Sequence, residues 1–337
     1  MENEKFDLDA FRAQPLPTEE EVMANWQGDI DKPVVSILCH MFNQERYIED
    51  AFRGFLMQKT DFVFEVIAHD DASTDGTSDI VREYAKRYPK IFKPVIQTEN
   101  QYSKGKKPSL LSSAHAKGEY FALCEGDDFW INENKLQLQT DVLNNNRKVN
   151  LVVHDSLVIN NQDDLIKDAF GSLNFNDGIV PVNEVFLTDG QFAPTASYFF
   201  RNVSLQFLAD YSESPVGDFL IEVFLGMEGV FLISNKMSVY RLGSDNSWTN
   251  NVLNNINMRI VHGEKMLATL NKMQNDLPQD KKYLVEYKRK AIFHGLAISH
   301  FHKSKLDSLL FFSKSLDFKN LKIKRAILYF RYVAINK

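Results

Sequence analysis

Cysteine is scarce: there are two in 337 residues, Cys39 and Cys124, each inside an apolar run. So few cannot frame a chain of this length, which excludes a disulfide-stapled scaffold and predicts two small buried hydrophobes in a reducing, cytoplasmic setting. Long hydrophobic runs are missing as well. No stretch approaches the roughly 20 apolar residues needed to span a bilayer. The opening MENEKFDLDAFRAQ is acidic where a signal peptide would be basic and then apolar. The expectation is a soluble protein. Neither GxGxxG nor GxxxxGK[ST] occurs, so the signatures of dinucleotide and P-loop sites are absent. Positive charge is short in the body of the chain. Net charge is −6, yet residues 301–337 hold nine Lys/Arg against two Asp, which leaves −13 on the rest. A basic tail on an acidic body points to an anionic surface or to a solvated helical face, and no feature points to nucleic acid.

What is present is ordinary globular composition, 44% hydrophobic and 25% charged, with length for a large core and an appendage. Residues 1–32 read as an N-terminal arm with a short helix near Glu19–Trp26. Val34–Cys39 is then a continuous apolar run suited to a strand buried on both faces. Asn43 is a cap candidate for a helix over Arg46–Met57. Strand Phe64–His69 leads to a helix at Ser78–Arg87, stopped before Pro89. Strand Phe92–Gln97 leads to a short helix at Ser109–Ala116, with Gly118 as its C-cap. Tyr120–Cys124 is the fourth strand. This alternation predicts an α/β fold with a parallel sheet between helices. Further strands are read near Leu151–Ile159, Ala196–Arg201, Val230–Ile233 and Ser238–Leu242, with a helix at Gly217–Met227. Beyond Asn250 the pattern is helical, broken at Leu277–Pro278. The expected division is an arm (1–32), a core with halves 33–150 and 151–249, and a C-terminal helical extension (250–337).

In open sheets of this kind ligands bind beyond the carboxyl ends of the strands. Two acidic clusters fall there. Glu125-Gly126-Asp127-Asp128 follows the fourth strand. Carboxylates this close repel, and burying them together calls for a cation; hard oxygen ligands suit Mg²⁺ or Mn²⁺. Asp70–Thr77 follows the second strand. Ser73, Thr74 and Asp75 read there as local caps, leaving one carboxylate for a nucleobase or ribose. The bland reading of either cluster is a solvated loop ahead of a helix.

Taken in order, Val35–Asn43, Asp70–Thr77 and Glu125–Trp130 resemble glycosyltransferase family 2, and in particular bacterial members with the acidic-Gly-Asp-Asp-aromatic-Trp metal motif. The resemblance runs from about Pro33 to Ser247. It implies the α/β GT-A fold, with a mostly parallel central sheet flanked by helices. It also implies inverting transfer from a nucleotide-sugar donor, UDP-linked in the commonest case. The acceptor would be a hydroxyl of a glycan or lipid-linked molecule, as in bacterial cell-surface polysaccharide synthesis. By the same resemblance His40, Asn43 and Asp71 meet the donor, with Asp71 reading the base. Asp127 and Asp128 meet ribose and a Mn²⁺ or Mg²⁺ ion, with Asp128 the more direct ligand, and Lys106 or Lys107 approaches the diphosphate. Asp218, opening a helix, is the general base, with Glu222 one turn on in reserve. Trp130, Thr195, Glu222 and Arg241 fall on the acceptor side. Gly243 stands where many relatives have His, so no third protein ligand for the metal is identified; Asp245 or Trp248 would shape the pocket instead.

Two readings compete. A nucleotidyltransferase also places acids at strand ends, but usually carries a basic Gly-rich loop where this chain has His40-Met41-Phe42-Asn43. A catalytically inactive sugar- or partner-binding module is the other. In the tail, Phe311, Phe312, Leu316, Ile323, Ile327, Leu328 and Phe330 among lysines suit an anionic membrane, packing onto the catalytic domain, or a homodimer seam.

Overall fold

The computed structural model describes residues 6–171, 175–188, 190–244, 252, 254–301, 303–316, 329, 332 and 333. The arm forms α1 (Leu8–Ala13) and α2 (Glu19–Met23). A capping box opens α2, with Thr18 and Glu21 exchanging side-chain and backbone bonds. Four strands follow: β1 (Val35–Met41), β2 (Phe64–Asp70), β3 (Phe92–Ile96) and β4 (Tyr120–Leu123). They pair in parallel in the order β3-β2-β1-β4. Burial of β2 along its whole length, and of β1 along nearly all of it, explains why both read as unbroken apolar runs. Between these strands lie α3 (Ile48–Leu56), α4 (Thr77–Arg87) and α5 (Pro108–Ser113). On α3, Phe52 packs on Phe92 at 4.8 Å and Phe55 on Trp130 at 4.8 Å. Each such buried ring contributes about 1.5–3 kcal/mol. Both cysteines are buried and free, as expected.

The sheet continues with β5 (Phe129–Trp130), β6 (Leu151–Asn160), β7 (Leu165–Lys167), β8 (Gly178–Val180), β9 (Phe199–Arg201) and β10 (Val230–Leu242). Its order is β3-β2-β1-β4-β9-β6-β10-β5, with β7 on β6 and β8 on β10. The α/β class holds, but the sheet is mixed. β9 runs antiparallel to both β4 and β6. It follows a short 3₁₀ turn at Thr195–Ser197. The two strands expected over 230–242 are one strand, whose polar middle is a pair of register shifts around Lys236. Gly118 caps no helix, since α5 ends at Ser113. It is a point of close approach, where a Cβ would stand 2.5 Å from the Ser36 amide nitrogen.

The remaining helices are α6 (Lys135–Asn145), α7 (Val182–Leu187), α8 (Gln206–Asp210), α9 (Asp218–Leu225), α10 (Ile256–Asp276), α11 (Lys282–His300) and α12 (Lys305–Ser315). The described residues fall into two compact units. One contains the arm, the sheet and α9; the other contains 183–190, 213–217 and the helices from α10 onward. In the second unit the buried Lys288 donates to the carbonyls of Thr188 (2.6 Å) and Gly190 (3.2 Å). The expected break at Leu277–Pro278 separates α10 from α11. Among the described residues no helix is long and apolar enough to cross a membrane. Asp245, Trp248, Ile323, Ile327, Leu328 and Phe330 lie outside the described residues.

Candidate active site

The loops after β1 and β2 are stitched to each other. Asn43 takes a left-handed conformation (φ 52°), which Asn tolerates better than most residues. Its amide donates to Ser73 Oγ (2.9 Å) and its Oδ1 accepts the Thr74 amide (2.7 Å). Gln44 N–H donates to Thr77 Oγ1, Glu45 N–H to Asp75 Oδ2, and Gly76 N–H to Glu45 Oε2. Asp70 accepts from the amide of Ser73 and the hydroxyls of Ser73 and Ser78. Asn43 thus braces two loops and caps no helix. Asp71, 5% exposed, accepts the Gln101 amide at 2.7 Å and the Tyr102 amide at 2.9 Å, one on each oxygen. Its carboxylate shapes the 100–105 loop.

His40 is held under α5. Its Nδ1 pairs with Ser112 Oγ (3.1 Å) and its Nε2 with Ser109 Oγ (3.2 Å). Ser112 Oγ also meets Nδ1 of His69 (3.1 Å), whose Nε2 meets Gln97 (3.1 Å). Burial, with His69 adding to it, pushes His40 down to about 3, so the ring is neutral near neutrality. It can offer a hydrogen bond and no charge.

At the end of β4 the acids divide. Asp128 is 1% exposed and points behind the cleft, its Oδ1 accepting the Arg241 amide (2.8 Å). Its Oδ2 is buried without a hydrogen-bond partner. Asp127 and Glu125 are half-buried, and Asp127 Oδ2 accepts from Ser244 Oγ (2.5 Å). Burial raises Glu125 well above the ordinary carboxylate value, and the charges of Asp218, Asp127 and Asp128 raise it further. Burial raises Asp127 too, with Ser244 holding it back. Asp128 is raised by burial and then by Asp127. Asp127 and Glu125 thus keep partly exposed carboxylates at the end of β4, whereas Asp128 is deep, with one oxygen bonded and the other without a partner.

Asp218 is the first residue of α9, half-buried. Burial lifts it to about 6, against the pull of Lys107 and of a hydrogen bond from Thr195. Thr195 Oγ1 accepts from Gln191 (2.9 Å), which leaves its proton for Asp218. Glu222 lies four residues on, on the same helix face. Its Oε1 accepts the Phe192 and Ala193 amides (both 3.0 Å) and the Tyr198 hydroxyl (2.6 Å). That makes it the anchor of the 191–198 loop instead of a reserve base. Lys107, not the exposed Lys106, is the lysine whose charge reaches Asp218. Pro108 at N1 of α5 could have singled it out, because that proline fixes its predecessor at the helix entrance. Tyr102, 48% exposed, stands close enough to Glu125 and Asp218 for their charges to raise its phenol further, after burial; nothing in the sequence marked it.

Two residues expected on the acceptor side are structural. Trp130 is 1% exposed, donates from Nε1 to the Ala196 carbonyl (2.8 Å), and carries Lys135 Nζ 3.8 Å above its ring. Arg241, also 1% exposed, donates from Nε to the Asp127 carbonyl (3.2 Å) and pairs with Asp50 and Asp163. Trp130 was placed by its position in the motif and Arg241 by the family resemblance; the Ala196 carbonyl holds the first inward, and Asp50 and Asp163 hold the second.

The arrangement is an acid-lined cleft at the carboxyl ends of β1, β2 and β4, and the fold around it is that of GT-A transferases. A sequence profile for Glycosyl transferase family 2 matches residues 36–176. The chain is 32% identical over 245 residues to the uncharacterized protein Rv1520 of Mycobacterium tuberculosis, covering 71% of this chain and 67% of that one. It is 32% identical over 121 residues to Bacillus subtilis TuaG, named for teichuronic acid biosynthesis, covering 36% of this chain and 44% of TuaG. Among solved structures, S. aureus TarS 1–349 in complex with UDP-GlcNAc superposes with a TM-score of 0.50 at 15% identity, covering 83% of this chain and 88% of that one. The Pyrobaculum calidifontis mannosyltransferase PcManGT, in complex with GDP-Man and Mn²⁺, gives 0.51 at 18% identity, covering 97% and 91%. The chain belongs to glycosyl transferase family 2. It is a glycosyltransferase, and the nucleotidyltransferase reading gives way.

Proposed function

We propose that the protein moves a sugar from a nucleotide-diphosphate donor to an acceptor hydroxyl in one displacement, with inversion at the anomeric carbon. One observation carries the reading: Glu125 at the end of β4 lies within electrostatic reach of Asp218 at the start of α9 and of Asp127, and after burial their charges raise its proton affinity, a state that a cation and a hydroxyl substrate would relieve. The donor set fits a hard divalent ion. Two half-buried carboxylates, Glu125 and Asp127, neighbour Asp128, whose Oδ2 is buried and unpartnered; among the described residues no group of three or more His, Cys, Asp or Glu is placed to hold a metal ion by itself. Mg²⁺ and Mn²⁺ accept such a site, held by one or two carboxylates with substrate phosphates completing the shell. Asp127 and Glu125 would hold it, and when bound it would neutralise charge on the departing diphosphate.

This chain's own groups supply the rest. Asp218, ionised above a pH of about 6, takes the proton of the acceptor hydroxyl as its oxygen bonds to the anomeric carbon. The bond from that carbon to the diphosphate breaks, and its electron pair leaves with the nucleotide. Thr195 aims the carboxylate. Neither cysteine can replace it as a nucleophile, since both are buried and burial raises their thiols. Neutral His40 and the 100–105 loop fixed by Asp71 frame the donor base, and Lys107 stands where a diphosphate would be drawn. A UDP-sugar is the first donor to test and GDP-mannose the second. The acceptor class, a bacterial surface polysaccharide or its lipid-linked precursor, is supported by the name of TuaG. A lipid-linked acceptor also suits α12, which exposes Leu306, Leu309 and Leu310 beside Lys305 and Lys314.

The deciding experiment is calorimetric titration with UDP, GDP, CDP and dTDP, each with Mn²⁺ and then with EDTA, on wild type and Asp127→Ala. Metal-dependent binding of one diphosphate, lost in the variant, is expected. No binding by wild type would turn the assignment toward an inactive module.

A further inference from the structure

Behind the acidic motif lies a charge network that the displacement itself does not use. Arg241 is at its centre, with its side chain wholly buried. Its backbone N–H holds Asp128 Oδ1 (2.8 Å) and its Nε holds the Asp127 carbonyl (3.2 Å). Its remaining nitrogens meet Asp50 Oδ2 at 3.2 Å and Asp163 Oδ1. One arginine facing two carboxylates leaves one negative charge uncompensated, which is costly at the buried Asp50 and less so at Asp163, whose side chain is 25% exposed. The balance comes from the N-terminal arm. Arg12 on α1 grips Asp50 with two parallel bonds, Nε to Oδ1 at 2.9 Å and Nη2 to Oδ2 at 2.6 Å, and reaches Asp163 Oδ2 at 2.9 Å. Two arginines and two aspartates then form a closed, neutral quartet.

The arm is seated on the motif by apolar contacts as well. Phe129, the residue after Asp128, packs against Phe11 at 5.1 Å and Phe6 at 6.0 Å. Arg241 lies 4.7 Å from the Tyr47 ring centroid and 5.8 Å from that of Phe129. Moving α1 away would uncover the aromatic that ends the motif and unbalance the arginine that ties down its two aspartates. Asp163 sits in a left-handed turn (φ 69°), which Asp tolerates, with its amide donating to the Asn160 carbonyl at 3.1 Å.

We propose that helix α1 is a latch on the acidic motif, with Arg12 a positioning residue that keeps Arg241 on the Asp127 carbonyl and the Asp128 carboxylate. Loss of Arg12 leaves Asp50 and Asp163 competing for one guanidinium. Arg241 is drawn toward them, and the Asp127–Asp128 backbone loses its tether. The consequence for catalysis rests on the function proposed above; the consequence for the motif's backbone does not.

The test is amide hydrogen exchange on the full chain as wild type, Arg12→Ala, Arg12→Lys, and Arg12→Ala with Asp163→Asn. Exchange across 124–130 and 239–242 is expected to quicken about tenfold in Arg12→Ala. It should recover partly in Arg12→Lys and largely in the double variant, which restores neutrality. The affinity for Mn²⁺ with UDP should fall about tenfold and recover in the same order. Faster exchange confined to 6–14, or spread evenly over the whole sheet, would overturn the latch, as would a double variant no better than the single one. If wild type binds no nucleotide while the motif still responds to Arg12, the proposed function fails and the latch stands.

Discussion

The two acidic clusters flank β1, at the ends of β2 and β4, and they are opposite in state. In Asp70–Asp75 the acids that the fold uses have local donors: Ser73 and Ser78 for Asp70, the Gln101 and Tyr102 amides for Asp71, and Thr77 and Glu45 for Asp75. Burial pushes Asp75 up, but its bonds from Thr77 and Glu45 outweigh this and hold it below the ordinary value. In Glu125–Asp128 donors are fewer, Ser244 for Asp127 and the Arg241 amide for Asp128, and burial raises all three, with neighbouring acids raising Glu125 and Asp128 further. The first cluster is architecture. The second stores repulsion that a ligand can relieve. What separates them is the supply of local donors: backbone amides and the Ser73 and Ser78 hydroxyls around the first segment, and fewer around the second.

The largest effect should come from the second cluster. Asp127→Asn is expected to cut transfer about 10³-fold while leaving the melting temperature unchanged or higher, because it removes a repelling charge. A fall in stability with activity retained would reverse the comparison. Asp218→Asn comes next, at about 10²-fold or more in kcat. In wild type, log kcat/KM should climb with unit slope below a pH of about 6 and then level. The sign for stability is also set. A folded-state value raised above the unfolded one means the native state holds extra protons between 3.8 and about 6, so this group's contribution declines as pH rises through that window. Urea midpoints of Asp218→Asn should therefore improve relative to wild type from pH 4 to pH 7. The difference between the two proteins cancels the buried histidines, which act in the opposite direction.

Asp71→Ala probes the first cluster. It should cost about 1–3 kcal/mol of stability, because two loop amides lose their acceptor, and it should speed exchange in 100–105. Its effect on turnover should be several-fold, through the loop. A loss in turnover matching that of Asp127→Asn, with stability intact, would mean that Asp71 acts on the donor directly.

Much of this was legible in the residues and some was not. Apolar runs located β1, β2 and β4 because strands buried on both faces cannot alternate, whereas the edge strand β3 is buried only at Phe92. The strand-end position of both clusters followed from that, and so did the helix that carries Asp218. The antiparallel β9 was hidden because three residues carry too little pattern to show a direction. That Asp128 lies deeper than Asp127 was hidden because Gly126 and Asp127 form a turn, and a turn carries no periodicity from which to read which carboxylate faces inward. The inward turn of Trp130 and Arg241 was hidden too: neither a place in the motif nor a family resemblance says which way a long side chain points, and here the Ala196 carbonyl and the carboxylates of Asp50 and Asp163 decide it. Glu222 needed the Ala193–Tyr198 loop, which no local signal connects to α9.

The smallest expected effect separates two adjacent lysines and tests the comparison most finely. Both Lys106 and Lys107 carry a charge near the cleft entrance, but Lys106 is exposed and only Lys107 acts on Asp218. A cation stabilises the ionised form of a neighbouring carboxylate. Lys107→Gln should therefore move the acid limb of the pH–rate profile to higher pH, whereas Lys106→Gln should leave it in place. Added salt should shrink the shift, since a half-exposed pair is screened. If both variants move the limb equally, the field at Asp218 is set by the summed charge of the loop. The repulsion in the second cluster would then be tuned by solvent-exposed residues, and not by the one lysine that Pro108 fixes at the entrance of α5.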